Sequence, residues 1–320
     1  MTKKTLYIFA FIFLHPFFSS GQQFPYYPTA YRIFSPAVFN PAFAGSRDIS
    51  DISFTANING THDAQLLNGS TRLLKSKKNR WPAPDVSPFS NFGTGGYLFH
   101  EETDSLDNYG FAGSFSYHIP VSSDRVSYFS LGLTAKGALG IPVSNPEDPD
   151  TLEKAENIFT PDLDFGISYY SARFFAGISI TNILTDPESS GFPSKLQGVV
   201  SRQFLITTGY RIILSRKKAI LLEPSILMNF GNAAFDNDIL HYHPALKLYY
   251  KNSYIGWYLN DTKNLSFMMH LDLPWFFVSS YVEFPARGDV IWFNGNLNLE
   301  LSVGIVLGRK HSVIKEYKYW

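Results

Sequence analysis

The chain has 320 residues with 27 Lys plus Arg against 27 Asp plus Glu, so its formal net charge is zero and no global field points to nucleic acid or to an acidic substrate. Cysteine is absent, which removes disulfides, thiolate metal sites and a cysteine nucleophile together. Aromatic residues make up 17% of the chain while the mean hydropathy is only −0.07, a mixture that suits a protein with two solvents.

In chain order, Lys3 and Lys4 precede the apolar run LYIFAFIFLHPFF, and Ser19, Ser20 and Gly21 follow it. A charged start, a short apolar stretch and a small-residue cleavage site predict a signal peptide over residues 1–21. The apolar run is too short for a spanning helix, and no later run approaches the ~18 residues one needs. Residues 22–50 form an amino-terminal, plug-like periplasmic segment. Within it, FSPAVFNPAFAGSRD is cut into turns by Pro36 and Pro41, yet Phe34, Val38, Phe39 and Phe43 make it oily. Proline fixes φ and pushes its predecessor away from helix, so Ser35 and Asn40 belong to an extended, turned backbone. The phenylalanines then need a place to hide from water, either at the periplasmic mouth of a barrel or against its inside wall.

Residues 51–309 alternate. Phe111, Phe115, Tyr117 and Ile119 fall opposite Ala112, Ser114, Ser116 and His118, and Phe129, Leu131, Leu133 and Ala135 fall opposite Ser130, Gly132, Thr134 and Lys136. Leu297 to Gly308 puts six aliphatic residues on one face. Period two marks a strand with two unlike faces. At ~3.3 Å per residue and a tilt near ~45°, such a strand is long enough to cross a bilayer, whereas strands of soluble sandwiches usually run about five or six residues. About fourteen segments of this kind occur, starting near residues 51, 66, 92, 108, 125, 162, 173, 202, 219, 238, 253, 264, 275 and 296. The expectation is an all-β fold, a transmembrane antiparallel β-barrel of about fourteen strands in the bacterial outer membrane, after a cleaved signal peptide. Outer-membrane lipid is its first partner. Residues 310–320 form a tail ending in an aromatic residue.

With the amino terminus in the periplasm, long outer loops should alternate with short inner turns, and from the sixth strand onward they do. One link is long where a turn is due. It opens with Lys75, Lys77, Lys78, Arg80 and Trp81, and it reads either as a slip in the strand count or as a basic periplasmic element that meets a partner.

Chemistry-bearing patterns are sparse. No G-x-S-x-G, G-x-x-x-x-G-K or H-E-x-x-H is present. His241 and His243 share one face of a strand but lack a third ligand, so they read as lumenal histidines rather than a metal site. The acidic link NPEDPDTLEKAEN lacks calcium-loop spacing. No catalytic residue, metal or cofactor follows from the sequence.

The segment Pro36, Phe39, Asn40, Pro41, Ala42, Phe43, Ala44, Gly45 and Ser46, together with the hairpin PDLDFGISYYSARFFAGISITNIL, resembles the PorP/SprF family of the type IX secretion system of Bacteroidota. The resemblance implies a non-enzymatic outer-membrane barrel that works beside type IX secretion components. It also implies a secreted partner, such as a gliding adhesin, recognised through its carboxy-terminal sorting domain. The residues themselves leave two alternatives open, an outer-membrane channel for small solutes or hydrophobic molecules and a soluble secreted β protein.

Overall fold

The computed structural model describes residues 34–47, 50–58, 63–74, 89–102, 106–121, 127–142, 157–184, 202–230, 240–259, 265–284 and 298–307. The predicted signal peptide 1–21, the tail 310–320 and the basic residues Lys75 to Trp81 lie outside them. Two single-turn 3₁₀ helices come first, η1 (Pro36–Val38) and η2 (Pro41–Phe43). The strands are β1 (Ser50–Ile58), β2 (Asp63–Leu74), β3 (Phe89–Glu102), β4 (Leu106–Pro120), β5 (Ser127–Pro142), β6 (Ile158–Ser171), β7 (Phe174–Thr181) and β8 (Gln203–Tyr210). They continue with β9 (Ile212–Ser215), β10 (Ile220–Phe230), β11 (Leu240–Tyr250), β12 (Ser253–Leu259), β13 (Leu265–Asp272), β14 (Phe276–Phe284) and β15 (Asn298–Leu307).

Neighbouring strands in sequence pair antiparallel, except that β8 and β9 both pair with β10, and β15 returns to pair with β1 from Ser50↔Leu307 to Ile58↔Leu299. The sheet therefore closes on itself and leaves no edge. β8 and β9 are one strand: Ser225↔Gly209 and Leu222↔Ile212 keep the same register across the gap. The interruption lies beside Pro224, which has no N–H to give to the ladder. The result is a closed barrel of fourteen spans, as the alternation predicted. β2 and β3 pair directly across the long basic link, so the strand count does not slip there.

The barrel is apolar outside and polar inside, the reverse of a soluble protein. On β1, Ile52 and Phe54 are more than 40% exposed while Ser53, Thr55 and Asn57 are buried. On β15, Leu301, Val303, Ile305 and Leu307 face out while Glu300 and Ser302 are fully buried. Thr55 donates across the seam to Ser302 at 2.9 Å. A large exposed apolar band is tolerable only in lipid, and that decides between the membrane barrel and a soluble sandwich. Replacing Val303, near the middle of β15, by Arg is expected to cost roughly 2–4 kcal/mol of folding free energy in lipid, measured by denaturant unfolding in bilayers.

Four tight connections, 172–173, 216–219, 251–252 and 273–275, mark one end of the barrel, called here the short-turn end. That end is periplasmic in barrels of this type.

Candidate functional site: the occupied lumen

The amino-terminal segment sits inside the barrel. Its shape follows from two prolines, each at the start of a 3₁₀ turn, where the fixed φ is already suitable and the missing N–H has no partner to lose. Phe39 N–H bonds Pro36 O, Ala44 N–H bonds Pro41 O and Ser46 N–H bonds Phe43 O. Asn40 caps the second turn, its Oδ1 accepting from Ala42 N at 3.0 Å. Gly45 then turns the chain toward β1 with φ at 65°, and a Cβ there would lie 2.6 Å from Thr71 O.

One wall receives this segment through its backbone. Ser179 Oγ donates to Phe39 O at 2.7 Å, Ser130 Oγ to Ala42 O at 2.8 Å, and Ser116 Oγ to Ala44 O at 2.5 Å. His118 Nε2 also donates to Ala44 O, at 3.0 Å, which fixes its tautomer, and Tyr170 O–H then donates to Nδ1 at 2.9 Å. Asn40 Nδ2 reaches Ile167 O and Ile178 O, joining β6 and β7. The same wall is cut back to glycine where the segment passes. A Cβ on Gly132 would overlap Ala42 N and Pro41 C, one on Gly166 would overlap the Asn40 side chain, and one on Gly93 would overlap Ala44 O.

Apolar side chains hold the opposite side. Phe34 packs with Ala245, Tyr254, Tyr258, Met268 and Tyr281 on β11 to β14. Val38 and Phe39 join Leu66 and Leu205. Ser35 Oγ accepts from Asn68 Nδ2 at 2.8 Å. Segment 34–47 thus bridges the lumen from β4–β7 to β11–β14, nearer the short-turn end. Of the two places open to the phenylalanines, the structure puts them against the inside wall.

Asn40 has three tasks: one as a cap, two as a bridge between strands. Asn40→Asp keeps the cap but turns two donors into a carboxylate facing two carbonyls. It is expected to loosen the segment by roughly 2–3 kcal/mol, counting about one per lost bond and more for the repulsion. Asn40→Ala loses the cap as well. Limited proteolysis of the purified barrel, read at residues 34–47, should rank wild type, then Asp and Ala as increasingly cleaved.

A profile of the family described as "Type IX secretion system membrane protein PorP/SprF" matches residues 19–305. The chain belongs to the PorP/SprF family. It is therefore an outer-membrane barrel of a secretion-system family, which is not a family of enzymes. Pro36, Phe39, Asn40, Pro41, Ala42, Phe43, Ala44 and Gly45, the residues that carried the resemblance, are the ones that run through the lumen. No curated protein matches this PorP/SprF chain. Among solved structures it is similar to Omp33 of Acinetobacter baumannii, at 8% identity over 82% of this chain and 99% of that one, with a TM-score of 0.41. It is also similar to BamA of Haemophilus ducreyi lacking POTRA domains 1–3, at 11% identity over 82% of this chain and 71% of that one, with a TM-score of 0.38.

His243 is buried in the lumen and stacks on Tyr258 at 5.7 Å, while the side chain of His241 lies outside the described residues. Sequence reasoning missed the cradle of Ser116, His118, Ser130, Ser168 and Ser179, although the small lumenal residues of β4 to β7 were its trace. It also missed a buried charge cluster. Arg211 Nε donates to Glu223 Oε2 at 2.7 Å, and Lys247 Nζ and Tyr249 O–H reach Glu223 Oε1 at 3.4 and 3.3 Å. Glu223 stands between Arg211 and Lys247 in the register, so three neighbouring strands set the triad.

Proposed function

We propose that this PorP/SprF barrel holds a secreted partner protein, such as a large adhesin with a carboxy-terminal sorting domain, at the outer membrane beside the type IX translocon. The observation that carries the reading is the occupied lumen. A solute channel needs a wet path through its centre, and here residues 34–47 cross that centre with Phe34, Phe39 and Phe43. Recognition then falls to the barrel ends and their links. The basic residues Lys75, Lys77, Lys78, Arg80 and Trp81 follow β2 at the short-turn end, where a cationic link can meet an acidic partner surface.

The test is affinity purification of the tagged protein from detergent-solubilised outer membranes, with co-purifying chains identified by mass spectrometry. Recovery of one large exported protein, lost when its carboxy-terminal domain is deleted and reduced when Lys75, Lys77, Lys78 and Arg80 are changed to Glu, supports the reading. A partner-free barrel that conducts ions in planar bilayers overturns it in favour of a channel.

A further inference from the structure

The segment does not fill the lumen completely. Between it and the β7–β12 wall lies a slot of about 160 Å³. For scale, a cavity of about 150 Å³ in a protein core accepts one benzene molecule. Much of the lining is apolar, including Phe39, Phe43 and Phe175. The rest is charged, and the charge is unbalanced. Among the described residues that line the slot, the cations are Arg47, Arg211 and Lys247, and the carboxylate is Glu223 alone.

Glu223 is committed to Arg211 and Lys247. Arg47, half-buried where the segment leaves the lumen, makes no hydrogen bond or ion pair among the described residues. Asp51 accepts from Ser70 at 3.1 Å and lines a second recess together with Arg47, near enough to feel its charge but without a direct ion pair to it. Surplus positive charge in a confined cleft attracts an anion more strongly than it does at an open surface. An arginine fork selects a planar, two-oxygen group.

We propose that this slot binds a small carboxylate carrying one aromatic or branched apolar group, either as a free acid or as the last residue of a peptide. The carboxylate meets Arg47 with Lys247 nearby, and the apolar group enters between Phe39, Phe43 and Phe175. Binding resides in the isolated barrel, so it does not depend on the partner reading.

The experiment is calorimetric titration of the full chain in non-ionic detergent with phenylacetate and with phenylacetamide. A second pair is a pentapeptide ending in Phe, with a free and with an amidated carboxyl end. The expected result is saturable binding of an acid, at least about tenfold weaker for its amide. Arg47→Ala should weaken the acid about tenfold and Arg47→Lys less, with both variants migrating as folded barrels in unheated gels. Binding of phenylacetate without the peptide assigns the slot to free acids, and binding of the peptide assigns it to chain ends. No saturable binding of either acid, equal binding of acid and amide, or wild-type affinity in folded Arg47→Ala would overturn the proposal.

Discussion

Gly132→Val should open the barrel. Gly132 lies on the lumenal face of β5, where a Cβ would overlap main-chain atoms of Pro41 and Ala42 rather than the movable tip of a side chain. β5 itself cannot retreat, because it is paired along its length with β4 and β6. The strain must therefore fall on residues 34–47, which are held by a handful of hydrogen bonds and two apolar clusters. Overpacking of this kind costs about 1–3 kcal/mol, which raises the ratio of displaced to seated segment by several-fold to about a hundredfold. Single-channel recording in planar bilayers should show small or absent currents in wild type and frequent openings in the variant. Gly113→Val is the control: it lies on the outer face of β4 and a Cβ there meets nothing within 4 Å. Equal currents from wild type and a correctly assembled Gly132→Val barrel would mean that the segment does not seat against β5 in the membrane.

The barrel was legible because its rule is local. Side chains alternate with period two, and lipid outside against hydrogen-bonding groups inside makes the two faces chemically unlike, so Leu301, Val303 and Ile305 announce their strand without any partner. The oily, proline-cut segment was legible as something that needs cover. Its place was not, because Phe39 finds Leu205 and Ser179 only after the wall has closed around it, and no local pattern links residue 39 to residues 140 or more positions away. The glycines show the same limit. A strand glycine such as Gly93 marks a bend or a close approach, yet which backbone approaches Gly93, Gly132 and Gly166 is a property of the closed lumen. The Arg211, Glu223 and Lys247 triad escaped because it depends on register across three strands. In the text these are isolated charges near turns, where solvated lysines and arginines are common.

That triad yields the largest stability effect. Glu223 is 2% exposed and holds Arg211, which is buried, and Lys247, which is partly buried. Removing one member of a buried charge group leaves the others without compensation in a medium that solvates them poorly, a loss of about 3–5 kcal/mol. Glu223→Leu is therefore expected to lower the midpoint of urea unfolding in detergent clearly, with folded and unfolded forms separated by gel migration. Replacing all three together, Arg211→Met, Glu223→Leu and Lys247→Met, removes the charges along with their desolvation cost. The triple variant should fall close to wild type or exceed it. The pair of results separates two physical situations. If Glu223→Leu alone costs less than about 1 kcal/mol, water already reaches Arg211 and Lys247, the β7–β12 side of the lumen is wet, and the charges act as an exposed group does. If the single change is severe and the triple change mild, that side is dry, and the same dryness gives the surplus charge of Arg47 its pull on a carboxylate.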